Sequence, residues 1–455
     1  MGSSFDRGEL SEFAGFYGFH YRGVDGRALV ADILGDMERG LDGRPSSLPM
    51  IPAYLGLSRT APVGGSVLAL DAGGTNLRAA RVGFDPSGRA RIAESRLSVM
   101  PGSSGRVSAD RFFDLIAEAA LAVLGSGPEP SGIGFTFSYH MDIRKDADGI
   151  LRAFSKEIDA PEVVGRAIGA GLRRALADRG YRYEGPIVLL NDTAATLLSG
   201  MTSGGGADFQ AAGFPPVIGF ILGTGFNTAY PETSVGKIGF ESPGSPQIVV
   251  CESGAFAVGH RGVLDLEFDA GTRAPGLYSL EKTCSGAYLG PLIFHILKRA
   301  VRDGVVRFAR SDEFLAMESP DSRTVSDFLR EPSSGSLPGS LFSPEEAPAA
   351  AACRYLASIV VERGALFSAA VLAATARRVD SRLPGLISPL NPVRIAVEGS
   401  TYLAFTGMRD CLDARLRVLL AEDCPLPFRI FPVEQASLLG AAVAAASGPA
   451  PKPAG

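Results

Sequence analysis

Two glycine-threonine turns, each fed by an apolar strand, constrain this chain more than any other feature. The first lies in Val67-Leu68-Ala69-Leu70-Asp71-Ala72-Gly73-Gly74-Thr75-Asn76-Leu77-Arg78, and the second in Val217-Ile218-Gly219-Phe220-Ile221-Leu222-Gly223-Thr224-Gly225-Phe226-Asn227. Between them Ile187-Val188-Leu189-Leu190 runs straight into Asn191-Asp192-Thr193. Glycine lets a backbone approach a phosphate closely, and threonine adds a hydroxyl donor. Taken singly, each turn is as well read as a plain hairpin; as a pair they can grip one polyphosphate from both sides. Asp192, at a strand end, is a candidate carboxylate for handling a proton or a metal-bound water. Read alone, it serves equally well as the cap of the helix that follows.

Composition narrows the setting. At 455 residues the chain is long for one core, so two domains are expected. Hydrophobic residues make up 46% and charged residues 20%, which fits a soluble globular enzyme. The net charge of -5 offers no general attraction to nucleic acid. No run of about 18 apolar residues marks a membrane span. The first ten residues carry Asp6, Arg7 and Glu9 and no apolar stretch, unlike a secretory signal. The five cysteines are odd in number and none is paired as C-x-x-C, which points to reduced thiols in a cytoplasm and away from a zinc site or disulfide framework. His20, His140, His260 and His295 are scattered without metal-ligand spacing. Only six of the 44 basic residues are lysines, which makes each lysine, Lys156 and Lys282 among them, slightly more informative.

Along the chain, the stretch to about Leu48 reads as amphipathic helix, ended by Pro49 and Pro52. Strands are expected at Val67–Leu70, Arg78–Val82, Ala90–Ser98, Ile133–Phe137, Ile248–Cys251, Val393–Val397 and Phe428–Phe431. Helices are expected at Arg111–Leu124, Glu162–Ala177, from Ala194, around Ser285–Val301, and at Ala349–Val379 and Ala436–Ala446. Gly200–Gly213 and Pro332–Pro348 read as loops, the second mobile, and residues 448–455 as a disordered tail. The order β-β-β-α-β-α-β-α, followed by a second strand-turn-strand start, suggests an approximate internal duplication with a phosphate between two α/β domains.

At this point the residues resemble the hexokinase family, on the actin-like ATPase fold, from about Val67 to Ala446. Leu70–Arg78 resembles that family's first phosphate motif, and Gly134–Ser138 the strand leading into its sugar site. Phe154-Ser155-Lys156 resembles the aromatic-threonine-lysine sugar contact, and Asn191-Asp192-Thr193 the catalytic aspartate motif. Gly223–Tyr230 resembles the second phosphate motif. Glu252–Phe256 and Leu280–Gly290 resemble the two glutamate segments that hold sugar hydroxyls, and Glu398–Tyr402 the adenosine motif. The chain departs from the pattern where His140 replaces a proline, where Ser253 and Phe154 replace tryptophans, and where Leu438-Leu439 occupy a glycine-lysine segment.

The resemblance implies an α/β, two-domain actin-like ATPase (ribonuclease H-like) fold with an interdomain cleft. The large domain would comprise residues 1–65 and 200–433, and the small one 66–199 and 434–447. It implies a cytoplasmic hexokinase that moves the ATP γ-phosphoryl group to the 6-hydroxyl of a hexose, with glucose the leading substrate. Asp192 would be the base. Ser138, Ser155, Lys156, Asn191, Asn227, Glu252 and Glu281 would hold the sugar. Gly73, Gly74, Thr75, Asn76, Arg78, Thr193, Gly223, Thr224, Gly225, Gly399 and Ser400 would hold the nucleotide. Asp71 would hold Mg²⁺ through water. Arg78 serves equally as a strand arginine paired with a neighbouring carboxylate; the lesser alternative for Asp71 is a turn stabiliser, and Glu281 with Lys282 could form an ordinary helix-surface pair. Partners would be a hexose and a nucleotide, with no nucleic acid and no membrane, in a monomer or homodimer. The phosphoryl donor is left open among ATP, ADP and polyphosphate. A sugar-sensing binding protein and an actin- or chaperone-like ATPase are the rivals.

Overall fold

In the computed structural model the described residues are 6–56, 65–86, 88–125, 127–154, 158–202, 216–233, 246–331, 338–421 and 424–447. Thirteen strands run through them: β1 (Ile51–Gly56), β2 (Ser66–Gly73), β3 (Asn76–Phe84), β4 (Ala90–Val99), β5 (Ile133–Phe137), β6 (His140–Ile143), β7 (Gly149–Ala153), β8 (Ile187–Leu190), β9 (Val217–Leu222), β10 (Phe226–Glu232), β11 (Gln247–Val250), β12 (Val393–Glu398) and β13 (Phe428–Pro432).

The two large sheets share one wiring. In the five-stranded sheet the order is β4-β3-β2-β5-β8, with β2 antiparallel to β3 and parallel to β5. In the six-stranded sheet the order is β1-β11-β10-β9-β12-β13, with β9 antiparallel to β10 and parallel to β12. Apart from β1, each sheet is a three-strand meander followed by two parallel strands, so the duplication expected from sequence is present in the topology. The strands β5, β8 and β9 are buried on both faces, and their sequences read as continuous apolar runs for that reason.

Both phosphate-type turns and Asp192 sit at the carboxyl ends of parallel strands. β2 ends at Gly73, β5 leads to Ser138, β8 to Asn191 and Asp192, β9 to Gly223, and β12 to Gly399. Ligands of open α/β sheets collect at such ends.

Two helices join the sheets. The helix Asp192–Thr202 packs on β9, and the final helix Ala436–Ser447 packs on β2 and β5, while the two helices cross each other. Glycines permit the close approach. A Cβ at Gly134 would lie 1.9 Å from the Ala441 carbonyl oxygen, and one at Gly440 would lie 2.0 Å from that of Ala195.

The long helix Ala347–Arg382 is long and apolar enough to cross a membrane by composition, but 89% of its apolar window is buried inside the protein. It is a core helix, apolar all round because it is surrounded. Buried ion pairs fix its register. Arg363 donates to both carboxylate oxygens of Asp265 at 2.6 Å. Arg378 and Arg382 both pair with Glu232 at the end of β10, at 2.8 and 2.9 Å.

Several expected elements differ. The opening stretch is two helices, Arg7–Phe16 and Gly26–Leu41, separated where Gly18 takes φ +71. The helix expected at Glu162–Ala177 is a single turn, Pro161–Val163, followed by a helix at Ile168–Asp178. Gly165 at φ +84 breaks the segment between them. Gly200 to Thr202 continue a helix, while 203–215 lie outside the described residues, as do 332–337 and 448–455. From Pro338 the expected loop contains short turns at Gly339–Leu341 and Pro344–Glu346 before Ala347 starts the long helix.

Candidate active site

The first turn closes the β2–β3 hairpin, with Gly73 paired to Asn76. Gly74 adopts φ +67, which a side chain would strain. Thr75 and Asn76 are exposed at the tip. Asp71 lies two residues before the turn and directly across the ladder from Arg78, which is itself exposed. Ser138 follows β5, and its N–H donates to the Ala72 carbonyl at 3.0 Å. A Cβ at Gly73 would sit 3.5 Å from the Ser138 hydroxyl, so this serine is against the turn.

The second turn is clamped from three sides. The Gly223 N–H donates to Gly225 O at 3.0 Å within the hairpin, and the Gly223 carbonyl accepts Gly286 N–H at 2.7 Å. It also accepts the Thr401 hydroxyl at 2.8 Å. Gly399 has φ +129, and a Cβ there would lie 2.3 Å from the Leu222 carbonyl. Only glycine lets the segment Gly399-Ser400 lie this close to the turn. Thr224 is left exposed at the tip.

Asn191, rather than Asp192, caps the helix Asp192–Thr202. Its Oδ1 accepts the backbone N–H groups of Thr193 at 2.7 Å and Ala194 at 3.1 Å. The cap leaves the Asn191 Nδ2 as its donor and relieves Asp192 of a capping duty. Thr193 is fully buried and donates its hydroxyl to Asp192 Oδ1 at 3.1 Å, so its side chain orients the aspartate.

Asn227 donates to Glu252 Oε1 at 2.8 Å, and Glu281 Oε2 accepts the Phe226 N–H at 3.1 Å. Glu252 itself takes a left-handed backbone, φ 55 and ψ 45. Burial pushes its carboxyl up to about 7, opposed by the Asn227 hydrogen bond and reinforced by the charges of Asp192 and Glu281. Burial also raises Glu281, against its bond to the Phe226 N–H. Glu252 thus draws four residues from different elements together: it is hydrogen-bonded to Asn227 and feels the charges of Asp192 and Glu281.

Lys282 does not form a surface pair with Glu281. It is 4% exposed and turned the other way, bonded to Asp269 and to the Ala274 carbonyl. Ser253 is buried with its hydroxyl 2.9 Å from that of Thr228, and Leu438 belongs to the core. His140 is exposed at the start of β6. Ser155 and Lys156 lie outside the described residues.

Sequence reasoning assigned no individual role to two residues. Glu398, at the end of β12, is pushed up to about 7 by burial and by the charges of Asp192 and Asp71, and lies 3.3 Å from the Thr196 hydroxyl. A carboxylate at a parallel strand's end, just before the Gly399 turn, was the available signal. Tyr139 donates its hydroxyl to the Gly74 carbonyl at 2.9 Å; nothing local in the sequence shows that contact.

Comparisons with known proteins fit this geometry. Two family models, both described as hexokinase, match residues 18–202 and 217–447. Hexokinase-1 of Oryza sativa subsp. japonica is 30% identical over 450 residues, covering 92% of this chain and 87% of that protein. Hexokinase-2 of Candida albicans is 28% identical over 446 residues, covering 92% and 88%. A solved Schistosoma mansoni hexokinase complexed with glucose superposes with a TM-score of 0.74 at 26% identity, covering 97% of this chain and 99% of that one.

Proposed function

The chain belongs to the hexokinase family, and from that premise we propose that it transfers the γ-phosphoryl group of ATP to the 6-hydroxyl of a hexose, glucose first among them. The observation that carries this is the electrostatic joining of the two halves at Asp192. Its charge acts on Glu252 beside the second turn and on Glu398, which also feels Asp71 beside the first. This supports a reading in which both phosphate-type turns and the carboxylates serve one site around Asp192.

In this reading Asp192 accepts the proton of the attacking hydroxyl, a contribution of about 10²–10⁴-fold. Positioning and charge neutralisation supply the rest in phosphoryl transfer. Asn191, Asn227, Glu252 and Glu281, with Ser138, Ser155 and Lys156, hold the hexose hydroxyls. The Gly73–Asn76 and Gly223–Gly225 turns present N–H and hydroxyl groups to the phosphates, with Arg78 at the rim. Thr193 acts through Asp192, and Gly399 and Ser400 face the nucleoside.

Mg²⁺ fits the donor set. No cluster of three metal-binding side chains occurs among the described residues, and an ion that keeps its waters and binds through one carboxylate plus phosphates needs none. Asp71 would hold such an ion through water, and when bound it would neutralise charge on the transferred phosphate.

Two lobes, 1–65 with 200–433 and 66–199 with 434–447, would close on the sugar and exclude competing water. In this reading the enzyme works in the cytoplasm, which free cysteines support. The test is ADP release from the purified protein across a panel of hexoses and of ATP, ADP and polyphosphate donors. Turnover that requires a hexose supports the proposal. Sugar-independent ATP hydrolysis would make the chain an ATPase of another kind, and sugar binding without turnover would make it a sensor.

A further inference from the structure

We propose that Tyr139 is a positioning residue for the first phosphate turn, setting the direction in which Thr75 presents its backbone N–H. The inference rests on the reading of that turn as a nucleotide site. Tyr139 follows Ser138 beyond the end of β5 and is 7% exposed. Its ring packs on Phe137 at 4.8 Å and edge-on to Phe154 at 5.1 Å, which fixes where the hydroxyl can reach. The hydroxyl donates to the Gly74 carbonyl at 2.9 Å.

A trans peptide is planar, so the Gly74 carbonyl and the Thr75 N–H point in opposite directions. Holding the carbonyl on Tyr139 therefore aims the Thr75 N–H away from Tyr139. The next peptide is held separately, because the Thr75 carbonyl accepts the Met100 N–H at 2.9 Å. Both peptide planes flanking Thr75 are thus pinned from outside the hairpin. A two-residue hairpin closed by the Gly73–Asn76 pair needs neither contact to form. Gly74 at φ +67 has no side chain to resist rotation, so an external hold has the most effect there.

Tyr139 also lies between the first turn and the serine read as a sugar contact. The preceding residue, Ser138, lies against Gly73, and the Asp71 carboxylate is near enough that it and burial together push the phenol up to about 12. The hydroxyl is a donor at every working pH.

The bland alternative is that a buried tyrosine has merely found a carbonyl. Tyr139→Phe separates the two, since it keeps the ring packing and removes one hydrogen bond. Two measurements on the full chain decide: steady-state kinetics in ATP and glucose, and the melting shifts induced separately by Mg-ADP and by glucose. We expect the ATP KM to rise about tenfold, the size of one lost hydrogen bond. The glucose KM should stay within twofold. The Mg-ADP shift should shrink while the glucose shift survives; each shift is read against the variant's own baseline, so general destabilisation drops out. An ATP KM within twofold of wild type, both KM values rising together, or a variant that does not fold would each overturn the proposal. Wild-type protein without hexose-dependent ADP release would sink the sugar-kinase reading alone, because the Mg-ADP shift still reports on Tyr139.

Discussion

Asn227 gives its Nδ2 to Glu252 at 2.8 Å while its Oδ1 takes the backbone N–H groups of Thr228 at 2.8 Å and Ser253 at 3.2 Å. The amide is held at both ends, and the strand β10 thereby sets the position of a carboxylate on the turn after β11. One oxygen of Glu252 is engaged by Asn227; among the described residues no hydrogen bond is made to the other, and the carboxyl is pushed up to about 7.

The Glu252 carboxyl therefore couples stability and binding to pH. Its folded pKa, about 7, lies above the ordinary carboxylate value of roughly 4.3. Stability from keeping it neutral is fully present below the ordinary value and is lost as pH rises through about 7. Glu252→Gln mimics the neutral form, so it should match wild type only below about pH 4 and melt higher than wild type at about pH 8. A sugar hydroxyl donates to the ionised form, so glucose binding near pH 7 should expel protons, seen by calorimetry in buffers of different ionisation enthalpy. No proton release near neutrality would remove Glu252 from the sugar site. Glu398 and Glu281, both raised by burial, titrate with the same sign and add to the slope.

Asp192→Asn should leave folding and sugar binding nearly unchanged and cut kcat by about 10²–10⁴-fold. The helix cap is on Asn191, so the aspartate's charge is not needed to start the helix. Asn191→Ala should instead destabilise by about 1 kcal/mol. A variant with asparagine at 192 that keeps a tenth of wild-type kcat would show that Asp192 is not the base.

Lys282→Met should be destabilising by about 3 kcal/mol in urea titration, since it strands the buried Asp269 carboxylate. Arg261 still pairs with that carboxylate at 2.9 Å, which keeps the loss at the lower end of the range for broken buried pairs. A variant as stable as wild type would mean that Lys282 is solvated after all.

The parts of this architecture that were legible in the sequence are those set by local pattern. The apolar runs before Gly73, Asp192 and Gly223 became β2, β8 and β9 because strands buried on both faces need no polar alternation. The long alanine-rich helix was legible because it is apolar all round. The hairpin β6–β7 was not, because its strands are short and carry Asp142 and Arg152 on exposed positions that pair with each other. The helix Met408–Ala421 was missed although Leu412, Leu416 and Leu420 give it a buried stripe at helical spacing. At the site, Asp192 and both turns were legible as turn chemistry at strand ends. The inward burial of Lys282, the Asn191 cap and the Tyr139 contact depend on partners that the fold brings in, in the case of Tyr139 from 65 residues away.

The crossing of the helices Asp192–Thr202 and Ala436–Ser447 should transmit packing changes to catalysis. Gly440 touches the backbone of Ala195, and a Cβ there would lie 2.0 Å from its carbonyl oxygen, where backbone rather than a side chain must move. Overpacking of this kind costs about 1–3 kcal/mol. The displaced helix begins with Asp192 and is also pressed onto β9, where a Cβ at Gly219 would lie 2.5 Å from the Thr193 carbonyl. It cannot retreat from Gly440 without shifting the aspartate against the sheet that carries the second turn. Gly440→Ala should therefore lower kcat about tenfold, because a misplacement of about 1 Å costs up to 10²-fold. The glucose KM should change less, since Asn227, Glu252 and Glu281 sit on other elements. Gly15→Ala is the control for a bare glycine-to-alanine change: nothing lies within 4 Å of a Cβ there, and its helix should gain stability without altering kcat. Equal kcat values for Gly440→Ala and wild type would mean that the helix crossing is compliant and that Asp192 is positioned by Asn191 and Thr193 alone.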